Sequence, residues 1–210
     1  MPASENHSLL DDLNPIQQQA CQSTEGPTLI LAGAGSGKTR VLTYKVAYLI
    51  SEKKISPENI LCLTFTNRAA GSIIERIKKL VGDLPTQPMM GTFHSFCAKI
   101  LRREGGILGL PPGFAIYDES EALDAIKEAM NNLDIPIQKT SPHAVRSTIS
   151  AAKNELISSL EYPQYARGYF QETVAKIYLE YQKILERNYA LDFDDLLLMT
   201  IKLFQKEPSV

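Results

Sequence analysis

The sequence predicts an α/β fold, with a parallel, doubly wound sheet followed by a mostly α-helical part. Short apolar runs alternate with helical patterns through the first half of the chain. Past Pro111-Pro112-Gly113 this alternation stops, and helical patterns dominate. Because parallel strands are joined by crossover helices, the first half favours a sheet with helices on both faces.

Three strand-to-helix units make up the predicted sheet. Strands are expected at 28–32, 60–65 and 89–93, and their helices at 38–50, 68–81 and 94–103. The later part is expected to contain a strand at 114–117 and helices at 119–131, 142–158, 169–187 and 193–204.

Composition and charge indicate an ordinary globular protein with 44% hydrophobic residues. Residues 1–117 hold 12 Lys/Arg against 9 Asp/Glu, and residues 118–210 hold 10 against 15. A polyanion site is therefore expected in the first part. The three cysteines are widely spaced, so neither a disulfide nor a zinc site is expected. No apolar run approaches a membrane span, and we expect a cytoplasmic protein without membrane contact.

A glycine-rich segment, Ala32-Gly-Ala-Gly-Ser-Gly-Lys-Thr39, carries the most specific chemistry. It matches the phosphate-binding P-loop, except that Ala32 stands where the usual pattern has glycine. Successive N–H groups of such a loop can point at phosphate oxygens, and the following helix adds its positive N-terminal end. A glycine-rich turn without a ligand is the alternative. Lys38 stands where a dinucleotide-binding fingerprint needs glycine, which excludes that motif.

Two side chains of this loop are the candidate catalytic residues. Lys38 is expected against the β and γ phosphates of ATP, and the Thr39 hydroxyl is expected to ligate Mg²⁺ carried with the nucleotide.

Four further segments accompany the P-loop: Leu13-Asn-Pro-Ile-Gln17, Thr64-Phe-Thr-Asn-Arg-Ala-Ala70, Gly91-Thr-Phe-His-Ser95 and Leu191-Asp-Phe-Asp-Asp-Leu-Leu197. In this order and at about this spacing, they resemble the UvrD/Rep/PcrA-like helicases of superfamily 1. The resemblance implies a RecA-like P-loop domain with an inserted helical subdomain. It also implies ATP and Mg²⁺ as cofactors, single-stranded DNA as partner, and 3′ to 5′ polarity.

For the nucleotide, the resemblance implies that Gln17 reads the adenine edge and that Arg40 lies along the base. The expected nucleotide-binding set is Gln17, Ala32, Gly33, Ala34, Gly35, Ser36, Gly37, Lys38, Thr39 and Arg40. Without the resemblance, Gln17 and Arg40 would be solvated residues at helix starts.

For DNA, the resemblance points to the ends of the second and third predicted strands, where open parallel sheets present their ligand sites. The expected DNA-binding residues are Phe65, Thr66, Asn67, Arg68, Thr92, Phe93 and His94. Polar caps between a strand and a helix are the alternative interpretation.

The resemblance also implies a domain organisation. We expect residues 1–111 to be the first part of the RecA-like subdomain, 112–190 the helical subdomain, and 191–210 a return segment. The family's Asp-Glu magnesium motif and its second RecA-like domain would follow Val210, so the chain alone is expected not to unwind DNA.

One acidic pair, Asp118-Glu119, superficially fits the magnesium role, but the resemblance places it at the entry to the helical subdomain. Asp118-Glu119 follows a short apolar run, but capping acids are common at helix starts. Asp194 and Asp195 are likewise interpreted as capping residues.

The chain is predicted to be the ATP-binding N-terminal part of an ATP-dependent DNA helicase that acts in repair or replication. A P-loop phosphotransferase is disfavoured because residues 118–210 lack clustered arginines. A non-catalytic, nucleotide-dependent interaction module remains the second alternative.

Overall fold

A computed structural model describes residues 9–210. Its helices are α1 (Pro15–Gln22), α2 (Lys38–Ser51), α3 (Asn67–Val81), α4 (Phe93–Glu104), α5 (Glu119–Asn132), α6 (Pro142–Asn154), α7 (Tyr169–Arg187) and α8 (Phe193–Lys206). Its strands are β1 (Leu61–Thr64), β2 (Met89–Thr92), β3 (Ala115–Tyr117) and β4 (Ala190–Asp192). The chain divides into two compact units, one ending at Phe96 and the other comprising Cys97–Val210.

The first unit is built on one parallel strand pair. β1 and β2 run in register from Leu61 opposite Met89 to Thr64 opposite Thr92. Helix α3 connects them and covers the pair with its apolar face. A shared core is formed by α2, α3 and the strands, through Val46, Ile60, Cys62, Ile73 and Ile77. Both strands therefore end at the same edge of the sheet.

Helix α1 packs against α2 in a second, smaller core of this unit. Asn14 caps α1 in a reciprocal capping box with Gln17, and Pro15 takes the first helical position, where its missing N–H costs nothing. The buried side chains of this core are Leu10, Leu13, Cys21, Val41 and Tyr44.

The strand predicted at 28–32 is not formed. Residues 27–33 have no regular secondary structure, and the side chains of Leu29 and Leu31 are 83% and 87% exposed. In the described part of the chain, no other strand is hydrogen-bonded to this segment. An extended segment without such a partner leaves its backbone groups to water, so its apolar residues do not make it a strand.

The second unit is mainly helical, as predicted. Helices α5, α6 and α7 enclose an alanine- and isoleucine-rich core that includes Ile126, Ala129, Val145, Ile149, Val174, Ile177 and Ile184. The strand predicted at 114–117 forms as β3, and it pairs in parallel with β4, a strand that was not predicted. Helix α6 ends four residues earlier than predicted, at Asn154, because Leu156 adopts a left-handed backbone (φ 61°).

A fully buried lysine joins the elements of this second unit. The Nζ of Lys153, on α6, lies 2.7 Å from Oδ2 of Asp192 and 2.8 Å from Oδ1 of Asp195. Tyr181, on α7, donates its hydroxyl to the same Asp192 oxygen at 2.7 Å. Asp192 is also the N-cap of α8, with Asp195 completing the capping box. The polar cluster therefore ties α6, α7, β4 and the start of α8 together.

The pKa values in this cluster follow from its burial and its charges. Burial alone would lower the pKa of Lys153, but the two carboxylates outweigh it, and the pKa lies above its usual value. Burial also opposes ionisation of Asp192, yet Lys153 holds the pKa of this carboxyl below its usual value. For Asp195, burial and the neighbouring Asp192 charge outweigh Lys153 and raise the pKa.

The three cysteines, Cys21, Cys62 and Cys97, are free and buried, and burial raises the pKa of each thiol. Within residues 9–210, the helices are too short or too polar to cross a bilayer.

Replacing Lys153 with methionine should destabilise the second unit by about 3–5 kcal/mol, because two buried carboxylates would lose their compensating charge. Urea unfolding followed by circular dichroism measures this change. Lys176→Met, at an exposed position of α7, is the matched control and should have little effect. A Lys153→Met protein as stable as the wild type would contradict this account.

Alkaline pH should also destabilise the second unit. Burial and then the nearby carboxylates raise the pKa of Tyr178 and Tyr181 above the usual value, and the pKa of Lys153 is raised as well. Groups with raised pKa values contribute stability that is complete below about pH 10 and is lost above it. At acid pH, the opposite shifts of Asp192 and Asp195 partly cancel.

Thermal melts at about pH 8 and about pH 10.5 test this expectation. Tyr181→Phe should lose less stability between the two pH values than the wild type, because one titrating group is gone. Tyr165→Phe, at a position 61% exposed, serves as the control. Equal pH dependence in the wild type and Tyr181→Phe would refute the role given to Tyr181.

Candidate functional site

The glycine-rich loop turns sharply into α2. Gly35 and Gly37 have φ values of 75° and 87°, in the left-handed region that favours glycine. A Cβ atom at Gly37 would lie 2.9 Å from the Nε2 of Gln17, too close for a real contact. Glycine is thus required at 37 by the backbone conformation, and the flexible Gln17 side chain would have to shift if a Cβ atom stood there.

The N-terminus of α2 is open to an anion. Gly37 is its N-cap, and no side chain hydrogen-bonds to the first amides of the helix. Lys38, Thr39 and Arg40 are its first three residues, and all three are exposed. Uncapped amides, the helix dipole and two cationic side chains make this point attractive to phosphate.

Lys38 bends back over its own loop. Its Nζ donates hydrogen bonds to the carbonyl oxygens of Ala32, at 2.9 Å, and Gly33, at 2.7 Å. Ser36 Oγ donates to the same Gly33 carbonyl at 2.7 Å. These bonds keep the loop compact and keep the ammonium group at its centre.

Helix α1 contributes Gln17 to the loop. The Nε2 of Gln17 donates to the Ser36 carbonyl at 3.2 Å, while its Oε1 accepts from the backbone N–H of Asn14. Arg40 donates from Nη2 to the Asp12 carbonyl at 2.7 Å. The structure therefore brings together Gln17, the loop and Arg40, residues separated by up to 23 positions in the sequence.

At the carboxyl ends of β1 and β2, two aromatic rings form a pair. The centroids of Phe65 and Phe93 are 5.5 Å apart, with the rings inclined at 37°. The two side chains are 88% and 42% exposed. Exposed large aromatics are costly in water, so an adjacent pair at a strand edge marks a candidate surface for stacking.

Polar residues surround this aromatic pair. Thr66 caps α3 by accepting from the Ala69 N–H at 3.2 Å, and Asn67 and Arg68 are the first, exposed residues of that helix. Capping does not use the amide of Asn67 or the guanidinium of Arg68, which face solvent.

The second strand end includes a residue that sequence reasoning did not assign. Ser95 exchanges hydrogen bonds with Thr92: its Oγ accepts from the Thr92 N–H at 2.9 Å, and its N–H donates to the Thr92 hydroxyl at 3.2 Å. Thr92 is buried and His94 is half-buried, so both are less accessible than Phe93. Ser95 positions this turn, and its spacing of three residues from Thr92 was the available signal.

The competing acidic pair, Asp118-Glu119, is a helix start. Asp118 is the N-cap of α5 in a capping box with Glu121, and Glu119 pairs with Arg146 at 2.9 Å. Residues 9–210 contain no group of three or more His, Cys, Asp or Glu side chains placed to hold a metal ion.

A mixed helix and strand fold with parallel strands and a P-loop opening a helix defines an α/β domain of the P-loop class. The chain matches the UvrD/REP helicase N-terminal domain over residues 13–210, and it belongs to that family.

Named relatives agree with this assignment. The chain is 45% identical over 205 residues to the ATP-dependent DNA helicase PcrA of Bacillus subtilis (strain 168), covering 98% of this chain and 28% of that protein. It is 46% identical over 204 residues to PcrA of Staphylococcus aureus (strain Mu50), covering 97% and 28%. The corresponding values for Staphylococcus epidermidis PcrA are 43%, 203 residues, 97% and 28%. The chain thus spans little more than a quarter of the length of these relatives.

Proposed function

We propose that this chain is the ATP-binding N-terminal part of an ATP-dependent 3′ to 5′ DNA helicase or translocase that acts on single-stranded DNA in repair or replication. The observation that carries the proposal is the uncapped N-terminus of α2 behind a P-loop, with Lys38 at the centre of the loop. Family membership supports the DNA-directed role. A cytoplasmic location is part of the same proposal.

In the nucleotide site, the loop amides and the first turn of α2 would hold the phosphates. Lys38 would exchange its two carbonyl contacts for phosphate oxygens, which as anions are stronger acceptors. Thr39 would offer its hydroxyl to Mg²⁺, with the phosphates as further ligands. When bound, ATP would supply the free energy released by hydrolysis of its terminal phosphoanhydride bond to ADP and phosphate.

Gln17 and Arg40 would select the base. The amide of Gln17 offers a donor and an acceptor, which suits the adenine edge. Its contact with the Ser36 carbonyl supports this role, because the contact keeps the amide beside the loop. The guanidinium of Arg40 is a planar group that can lie along a base.

DNA would contact the first unit at its strand ends. The exposed Phe65–Phe93 pair suits bases, because aromatic rings stack on every base without sequence preference. Thr66, Asn67 and Arg68, with Thr92 and His94, would contact phosphates or sugars.

We also propose a division of roles along the chain. Residues 1–111 would carry the nucleotide and DNA contacts, 112–190 would form the helical subdomain, and 191–210 would lead back to the RecA-like core. Hydrolysis needs an acidic magnesium ligand and a water-activating group. Asp118 and Asp192 are used as helix caps, so neither is assigned these functions.

Lys38→Ala should weaken Mg·ATP binding about tenfold or more, because a charge-assisted contact to the phosphates is lost. Isothermal titration calorimetry or a fluorescent nucleotide measures the affinity. Lys53→Ala, just beyond the end of α2, is a matched loss of one charge and should leave the affinity for Mg·ATP unchanged.

ATP turnover by the 210-residue chain should stay at background, with or without single-stranded DNA. Turnover that Lys38→Ala abolishes would instead make Asp118 and Glu119 the metal site.

Phe65→Ala should weaken binding of a single-stranded oligothymidylate by about 1–3 kcal/mol, the usual value of one base-stacking contact. Fluorescence anisotropy at fixed salt measures the change. Tyr169→Ala, at a position 78% exposed in the second unit, is the control for loss of an exposed aromatic ring. If Phe65→Ala and Tyr169→Ala bind equally well, the aromatic pair is not the base platform.

A further inference from the structure

Helix α3 carries a row of positive charge along its solvent face. Arg68, Arg76 and Lys79 are all exposed. With about 100° of rotation per residue, the three side chains fall within about 80° of the helix circumference, and they span about 16 Å along its axis. The buried residues of α3 lie on the opposite face, and they are Ala70, Ile73 and Ile77. We call Arg68, Arg76 and Lys79 the α3 basic row.

No member of this row forms a close ion pair with a carboxylate of the described residues. Among residues 9–210, none of its three members takes part in a salt bridge, whereas Lys78 on the same helix pairs with Asp83 at 2.9 Å. Unpaired exposed cations can neutralise the phosphates of a nucleic acid, and the release of the counterions condensed on that nucleic acid favours binding. The row therefore differs from the ordinary paired surface charge beside it.

The far end of the row opens into a groove between α2 and α3. This groove has a volume of about 340 Å³ and is lined by Arg40, Thr43, Tyr44, Arg76, Lys79 and Leu80. Its acidic neighbour is Asp12, whose Oδ2 accepts the Tyr44 hydroxyl at 2.8 Å. Besides Arg40, which is assigned to the nucleotide base, Arg76 and Lys79 supply two cations to this groove, and the nearby Asp12 carboxylate is already hydrogen-bonded.

We propose that the α3 basic row is a second contact for the DNA phosphodiester backbone, leading the strand from the platform of Phe65 and Phe93 toward the groove. This inference rests on the proposed DNA-binding function. Arg68 lies three residues after Phe65, in the first turn of α3. A DNA strand stacked on Phe65 would therefore reach Arg68 before the other members of the row. Phosphates, rather than bases, are the expected ligands, because Tyr44 is 9% exposed and offers no free ring face.

One acidic side chain, Glu75, shares this face of α3. It is exposed and lies about 20° from Arg68, on the side away from Arg76. Its charge opposes a nearby phosphate, which provides a test of opposite sign. Glu75→Gln should strengthen DNA binding if the backbone passes along this face.

The experiment measures the affinity of the 210-residue chain for oligothymidylates of about 4 and about 16 nucleotides, which bracket common single-strand site sizes, over a series of salt concentrations. The wild type is compared with Arg76→Ala/Lys79→Ala, Glu75→Gln and Lys78→Ala. Lys78→Ala is the control for loss of a single positive charge elsewhere on the same helix, where Lys78 pairs with Asp83. Circular dichroism verifies that each variant is folded.

For the longer oligomer, Arg76→Ala/Lys79→Ala should reduce the slope of log affinity against log salt by about 1.4, or about 0.7 for each lost phosphate contact. The shorter oligomer, held at the platform, should bind both proteins alike. Glu75→Gln should tighten binding of the longer oligomer, and Lys78→Ala should leave its slope nearly unchanged.

Three results would overturn the inference, and they are distinguishable. Equal salt slopes for Arg76→Ala/Lys79→Ala and Lys78→Ala, with Phe65→Ala still impairing binding, would reject the row and keep the proposed function. Loss of Mg·ATP affinity in Arg76→Ala/Lys79→Ala, with DNA binding intact, would assign the groove to the nucleotide. A wild-type chain that binds neither oligomer would reject the DNA-binding function together with the row.

Discussion

An ammonium group without access to water organises the second unit. Lys153 is stable there because two carboxylates contact its ammonium group, and the Tyr181 hydroxyl binds one of those carboxylates. All three partners lie far from Lys153 in the sequence. Removing one partner leaves a buried charge uncompensated, so the elements that supply the partners must assemble together. The short strand β4 and the first turn of α8 are positioned by this requirement as much as by their own apolar residues.

In the first unit, the register of the β1–β2 pair positions the residues that follow each strand. The parallel pairing of β1 and β2 aligns Thr64 with Thr92. The residues that follow each strand are therefore neighbours, although Phe65 and Phe93 are 28 positions apart. The loop before α2 depends instead on backbone conformation, since glycine at 37 permits both the left-handed turn and the approach of Gln17. The first unit thus presents two different surfaces: an aromatic pair at the ends of β1 and β2, and a glycine-rich loop before α2.

Features set by local pattern were predictable from the sequence. The P-loop follows from residue types at fixed spacing, and the helices follow from their apolar period. Non-local features were not predictable. The segment 28–32 is apolar enough for a strand but has no partner strand among the described residues, and β4 is too short to show a period. Lys153 looked like any charge on an amphipathic helix, because its partner Asp192 is 39 positions away.

The three buried cysteine thiols can report local unfolding of the regions around them. A thiol reacts as the thiolate, so Cys21, Cys62 and Cys97, with their low exposure and raised pKa values, should be protected while the fold is intact. Cys21 and Cys62 belong to different cores of the first unit, and Cys97 belongs to the second unit. The order in which a thiol reagent labels the three cysteines would show which part of the chain unfolds locally most readily.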